Sequence, residues 1–144
     1  MKNKYKIIFL VLCSMCLSNT IIYAKNTHFN EGKKLFINNK YKKSKILFQK
    51  DIVFNPKNEM SYLYLAKIFK KENNDTSEEN NLNTVLLLDP KNEEAIYLLT
   101  LLNIKKSNFS KAKELIDKLN LVCKNFCSSK KELEIKLNSS LKSK

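Results

Sequence analysis

The tetrapeptide Pro-Lys-Asn-Glu occurs twice in this chain, at residues 56–59 and at residues 90–93. The two copies start 34 residues apart and contain both of its 2 prolines. Lysine and asparagine are so common here that they match easily by chance, whereas the prolines do not. Proline cannot continue a helix, while asparagine followed by glutamate favours the start of one. The recurrence therefore predicts a structural repeat, with a turn and a helix start at each copy.

Apolar residues after each copy recur at the spacing of one helical face. They are Tyr62, Leu65, Ala66, Phe69, Ile96, Leu99 and Leu102. Residues 109–123 show the same spacing, although Lys124 stands where the next proline would fall. The chain has only 1 Gly, which is too little turn chemistry for an all-β or βαβ protein. We therefore predict an all-α protein with helix pairs over 27–38 and 41–54, 59–72 and 76–88, and 93–106 and 109–122.

These motifs resemble the tetratricopeptide repeat (TPR), a helix–turn–helix of about 34 residues with proline near its end. With Pro56 and Pro90 aligned to that proline, the matching residues are Gly32, Leu35, Tyr41, Ser44, Phe48, Tyr62, Leu65, Ala66, Phe69, Leu82, Val85, Ile96, Leu99, Phe109, Ala112, Ile116 and Leu119. The resemblance implies a helical domain over residues 25–144. It is expected to be an α-solenoid of three TPR-like repeats, approximately 25–58, 59–92 and 93–124, followed by a capping helix over 128–141.

Several positions depart from the family pattern, and two of them lie close together. The positions that depart from the pattern are Glu31, Asp51, Asp75, Glu78, Asn103 and Lys124. Asp75 and Glu78 stand where an aromatic and a small residue are usual. We therefore expect the turn between the two helices of the second repeat to pack loosely.

Residues 1–24 have the three-part layout of a secretory signal peptide. Three lysines precede an apolar run over residues 7–17, and a more polar stretch ends at Ala24. Cleavage after Ala24 would give a small exported bacterial protein of the periplasm. The alternative is an inner-membrane anchor, because the uncharged residues 7–24 are just long enough to span a bilayer. A eukaryotic parasite with similar composition is the other source considered, and Asn74 and Asn108 would then be glycosylation acceptors.

The formal net charge is +13, and it is carried by lysine without any arginine. Specific nucleic-acid sites favour arginine, whose planar side chain binds bidentately. We therefore expect no nucleic-acid partner. The excess of lysine instead predicts a mostly solvated surface with a diffuse attraction to anionic surfaces.

Two cysteines, Cys123 and Cys127, lie between the third repeat and the predicted capping helix. In an exported protein, two cysteines this close predict a structural disulfide. A redox-active pair usually has two intervening residues and sits at a helix N-terminus. A metal site needs more ligands, and His28, the sole histidine, lies at the other end of the repeats. We expect neither a metal nor another cofactor.

The sequence contains no catalytic constellation, so we expect a protein that is not an enzyme. The TPR resemblance instead implies a groove for a partner, lined by the first helix of each repeat. The groove positions implied are Phe29, Lys33, Phe36, Ile37, Leu63, Lys67, Lys70, Lys71, Tyr97, Leu101, Ile104 and Lys105. This mixed lining suits a protein or peptide segment with apolar anchors and acidic flanks.

Together with the leader, these features predict a protein-interaction scaffold of the bacterial periplasm or cell envelope. The alternative is a basic structural accessory that lies on anionic envelope surfaces and has no defined peptide partner. Membrane contact is expected to be peripheral unless the signal peptide is retained. The sequence makes no prediction of the oligomeric state.

Overall fold

The computed structural model describes residues 27–142, and the predicted signal peptide lies outside this range. The described residues form helices and turns without strands. The helices are α1 (27–37), α2 (Tyr41–Phe54), α3 (Glu59–Lys71), α4 (Asp75–Leu88), α5 (Glu93–Lys105), α6 (Phe109–Val122) and α7 (Ser129–Lys142). The prediction of an all-α repeat fold is confirmed, and the capping helix begins and ends one residue later than predicted.

The chain divides into a unit that ends at Pro56 and a unit that begins at Lys57. The described part of the first unit is the helix pair α1 and α2. The Ser44 hydroxyl donates a hydrogen bond of 2.8 Å to the carbonyl of Gly32. A Cβ atom on Gly32 would lie 3.0 Å from the Phe48 ring. Small residues at these two positions therefore let the two helices approach closely.

The second unit contains α3 to α7. Each of these helices packs against the next along the chain, and α7 also packs against α5. Its core consists of buried apolar residues: Leu63, Ala66, Leu82, Val85, Ala95, Ile96, Leu98, Leu99, Leu102, Ile104, Ala112, Leu115, Ile116, Leu119, Leu133 and Leu137. Fully burying a leucine or isoleucine stabilises a fold by about 1.5–3 kcal/mol. No helix can bury its apolar face alone, so the stacking of neighbours holds this unit together.

The turn inside each helix pair has the same backbone geometry. Asn39, Asn73 and Ser107, spaced as the repeats are, have φ angles of 58°, 54° and 59°. In each turn the N–H of the following residue donates to the carbonyl five residues earlier, at 2.9, 3.0 and 2.8 Å. These bonds, together with the left-handed residue, form a Schellman motif that ends the first helix.

The second of these turns was expected to pack loosely, and the structure shows otherwise. It has the same Schellman geometry as the other two. The Asn74 side chain also accepts a hydrogen bond of 3.0 Å from the backbone N–H of Ser77. This bond caps the start of α4. Asp75 forms a salt bridge of 2.5 Å with Lys105 on the next helix. Polar contacts therefore replace the apolar packing that the family pattern would supply.

The two Pro-Lys-Asn-Glu copies precede helix starts, as predicted. Asn92 is the N-cap of α5, and its side-chain oxygen accepts a hydrogen bond of 3.0 Å from the N–H of Ala95. Asn58 occupies the same position before α3, where its amide donates to the Ser61 hydroxyl at 3.2 Å. The sequence repeat is therefore a repeat of helix boundaries.

Candidate functional site

The four groove positions predicted in the first unit all lie on α1. Two of them, Phe29 and Phe36, pack against aromatic rings of α2. The Phe29 ring lies 5.9 Å from the Phe48 ring, between centroids. The Phe36 ring contacts Tyr41 edge-on, with centroids 5.3 Å apart. The aromatic rings therefore join α1 to α2. Lys33 and Ile37 are exposed, so they are the positions of this set that a partner could contact.

In the second unit, two of the predicted groove residues lie in the core. Leu63 is 1% exposed and Ile104 is 8% exposed, and both pack among the other core residues. Their prediction as ligand contacts is therefore corrected: both side chains are part of the core of the second unit. A ligand on this surface would contact the side chains that surround them.

Lys67, another predicted groove residue, is engaged by its neighbours. Its ammonium forms a salt bridge of 2.5 Å with Glu94 and lies 5.0 Å from the centre of the Tyr64 ring. Burial, and then the charge of Glu94, raise the pKa of the Tyr64 hydroxyl. Glu94, which is not among the predicted groove positions, therefore balances part of the positive charge expected on this surface.

Tyr97 links the third repeat to the capping helix. Its hydroxyl donates to the carboxylate of Glu132 on α7, with distances of 3.1 and 3.3 Å to the two oxygens. Its ring lies 5.7 Å from the ring of Phe126, between centroids. Burial and the hydrogen bond to Glu132 raise the pKa of the Tyr97 hydroxyl. Tyr97 therefore has two structural partners within the chain, Glu132 and Phe126.

The two cysteines predicted to pair are joined where the third repeat ends. The sulfur atoms of Cys123 and Cys127 lie 2.17 Å apart, and their Cα atoms are 5.2 Å apart. Within the loop that they close, the backbone N–H groups of Asn125 and Phe126 donate to Glu93, at 2.9 and 2.8 Å. Backbone hydrogen bonds from this loop, from Lys124 and Phe126 above all, lower the pKa of Glu93. The loop is therefore attached to the first turn of α5.

A pocket of about 170 Å³ brings predicted groove residues together with residues that were not selected. It is lined by Lys70, Asn73, Glu78, Leu101, Leu102 and Lys105. Lys70, Leu101 and Lys105 were predicted from the family resemblance, and exposed Lys71 follows Lys70 on α3. Asn73 belongs to the turn after α3, and Glu78 belongs to α4. The pocket therefore collects side chains from both helices of the second repeat and from the first helix of the third.

Glu78 is 3% exposed, although it carries an ionisable group. Burial raises the pKa of its carboxyl, while the positive charges of Lys70 and Lys105 oppose that shift. Glu78 stands where the family usually has a small residue, and that departure was the sequence signal for this site. From the sequence alone this departure indicates poor packing, because one sequence does not show that the chain folds a pocket around Glu78.

Metal-binding clusters and membrane-spanning helices are absent from the part of the chain that the structure describes. Within residues 27–142, histidine, cysteine and acidic side chains form no cluster of three that could hold a metal ion. In the same range, every helix is too short or too polar to cross a bilayer. The candidate site therefore consists of the pocket and the exposed lysines beside it.

Comparison with known proteins identifies the fold. The chain matches no protein-family model and no curated protein sequence. Among solved structures, it resembles the TPR domain of Arabidopsis OM64 with a TM-score of 0.74 and 16% identity, covering 83% of this chain and 98% of that one. It resembles the TPR2B domain of yeast Sti1, in a complex with pHsp70, with a TM-score of 0.70 and 16% identity over 83% and 98% of the two chains.

A bacterial protein of similar structure is the type III secretion chaperone SycD of Yersinia enterocolitica, solved with a peptide of the translocator YopD. The TM-score is 0.67 and the identity 14%, over 82% of this chain and 89% of that one. Identities this low show a shared fold and no more. The fold of the chain is therefore a TPR-like helical repeat, as its sequence motifs predicted.

Proposed function

We propose that this chain is a non-catalytic scaffold that binds a segment of another protein on α3 and α5, the first helices of its second and third repeats. The observation that carries the proposal is the pocket between α3, α4 and α5, where two leucines and two lysines meet in about 170 Å³. Concave sites with an apolar lining and a few polar groups are the usual form of binding sites.

The structural neighbours support this proposal. SycD was solved with a peptide of YopD, and the Sti1 domain in a complex with pHsp70. In both, a protein of similar fold is in a complex with a second molecule. By analogy we assign the same role to this chain.

The chemistry of the surface indicates what the partner segment contains. Lys70, Lys71 and Lys105 are exposed, and Leu101 is partly exposed beside them. An apolar side chain of the partner would bury against Leu101, while acidic residues would face the lysines. The net positive charge of the chain would also accelerate the approach of an acidic partner. We therefore propose a partner segment with apolar anchors and acidic flanks.

We further propose that the protein acts outside the cytoplasm, in the periplasm or cell envelope of a bacterium. The layout of residues 1–24 supports export, and retention of residues 7–24 as an inner-membrane anchor is the alternative. Mass spectrometry of the protein from its native envelope distinguishes them. A chain that begins at Lys25 supports cleavage, and a chain that keeps residues 1–24 supports the anchor.

A random peptide library displayed on phage, selected on the purified full chain, tests the binding proposal. We expect selected peptides to bind saturably in moderate salt, and binding to weaken at least several-fold on Leu101→Ala. Leu121→Ala is the matched control, because Leu121 is 87% exposed on α6, away from the pocket. Failure to select any saturable binder, or equal loss in both variants, would contradict the proposal.

The second candidate function is a basic accessory on anionic envelope surfaces, which the high net charge favours. Its binding to vesicles with anionic lipid would be lost as salt rises, because exposed charges are screened over about 10 Å at 0.1 M salt. Leu101→Ala would leave that binding unchanged. Salt-sensitive vesicle binding without a saturable peptide complex would therefore favour this second function.

A further inference from the structure

The pocket between α3, α4 and α5 has the size of a subsite for one side chain. Its volume of about 170 Å³ is enough for several water molecules. Leu101 and Leu102 form an apolar wall of the pocket. Asn73 supplies an amide that can donate two hydrogen bonds. A residue with a short apolar stem and a polar end group fits this lining.

The charges around the pocket favour an acidic end group when Glu78 is protonated. The titratable groups that act on Glu78 are Lys70 on α3, Lys105 on α5 and Asp75 on its own helix. Lys105 is paired with Asp75 at 2.5 Å. Across residues 27–142, neither lysine forms a salt bridge with Glu78. Asp75 offsets Lys105, and an ionised Glu78 offsets Lys70, so the surroundings attract an anionic group only when Glu78 is protonated.

We propose that this pocket binds a glutamate or aspartate side chain of the partner segment, and that Glu78 sets the pH range in which it does so. The inference rests on the proposed function of this surface and gives it a chemical specificity. Lys70, Lys105 and the Asn73 amide would hold the ligand carboxylate. Glu78 would be a specificity-determining residue that opposes this ligand when ionised and accommodates it when protonated.

The opposition follows from elementary electrostatics. Two carboxylates that share one site cannot both remain ionised without a large penalty, so one of them takes up a proton. Glu78 is the one placed to do so, because burial already favours its neutral form. A protonated Glu78 can donate a hydrogen bond to the ligand. Binding is therefore coupled to the uptake of one proton, and affinity falls by up to about tenfold per pH unit above the pKa of Glu78.

The test uses a single-residue probe, N-acetyl-glutamate N-methylamide, titrated into the isotope-labelled full chain and followed by amide NMR shifts. The matched control ligand is the corresponding glutamine derivative. We expect saturable shifts at Asn73, Leu101 and Leu102 with the glutamate probe, and binding at least several-fold weaker with the glutamine derivative. Above about pH 5.5, where the probe is ionised, the affinity should decrease as the pH rises.

Three variants separate the pocket from general charge. Glu78→Gln keeps the shape and removes the charge, so it should bind the probe more tightly than wild type at pH 7.5 and lose the pH dependence. Lys70→Gln should weaken binding at every pH. Lys113→Gln, on α6, is the control for total charge and should behave as wild type. If Glu78→Gln does not fold, as judged by circular dichroism, the wild-type pH profile and Lys70→Gln decide.

The inference is overturned if the glutamine derivative binds as tightly, if Glu78→Gln retains the wild-type pH profile, or if Lys70→Gln has no effect. These failures are distinct from failure of the binding proposal. Peptides that bind the surface without an acidic residue, and are indifferent to Glu78→Gln, would leave the scaffold proposal standing. Such peptides would refute the acidic subsite alone.

Discussion

The bond between Cys123 and Cys127 gives a prediction whose size follows from the structure. The bond closes a loop with sequence separation 4, which contains Phe126 and attaches to Glu93. For so short a loop, the chain-entropy relation gives a stabilisation of about 2 kcal/mol. For a helical domain of this size, that loss should lower the melting temperature by roughly 8 °C.

The assay is thermal unfolding of the full chain by circular dichroism. Cys123→Ser combined with Cys127→Ser should melt lower than the oxidised wild type by about that amount. Dithiothreitol should move the wild type to the same temperature and leave the double variant unchanged, which controls for effects of the substitutions themselves. Identical melting of oxidised and reduced wild type would refute the reasoning. So would mass spectrometry that finds two free thiols in protein purified from its native source.

Three further predictions concern stability and use the same unfolding assay. Gly32→Ala should cost about 1–3 kcal/mol by overpacking, because its Cβ would lie 3.0 Å from the Phe48 ring; wild-type stability would show that the ring can yield. Asn92→Ala should cost about 1 kcal/mol through loss of the cap of α5, and an unchanged denaturation midpoint would contradict that role. Glu93 has a lowered pKa, so its contribution is present above its unfolded pKa and is lost as pH falls through its folded pKa. The stability difference between wild type and Glu93→Gln should therefore shrink below about pH 4, and a constant difference would exclude this coupling.

The sequence predicted the repeat because its boundaries are marked by residues with few alternatives. Proline and the asparagine N-caps restrict the backbone directly, so Pro56 and Pro90 fixed the register of the helices. The left-handed residues in the turns were available too, since Asn39, Asn73 and Ser107 share the same spacing. Asparagine is so abundant here that its recurrence at this spacing does not stand out in the sequence.

The candidate site was predicted less well, because it depends on which face of a helix is covered. Leu63 and Ile104 were assigned to the groove from the family pattern, yet both pack in the core. Helical positions that border the buried face cannot be divided between core and surface without knowing the neighbouring helices. Lys67 was predicted as a groove position, and its pairing with Glu94 is a contact between helices that spacing along one helix does not reveal.

Glu78 shows the opposite case, in which a departure from the family pattern carried information. A large acid at a position that favours a small residue indicated a defect in packing. In the structure, the carboxyl is buried against a pocket and lies in the field of two lysines from other helices. Polar groups in such places are where local rules are most often broken for the sake of function.

The central claim is that α3 and α5, the first helices of the second and third repeats, bind a partner segment. Photocrosslinking in cells that produce the full chain tests it most directly, with a benzophenone amino acid at position 101 and, as the control, at position 121. The account predicts that position 101 crosslinks to a defined segment of another protein, with acidic residues near the crosslinked site, and that position 121 does not. Equal crosslinking at both positions, or crosslinks to lipid alone from position 101, would contradict it.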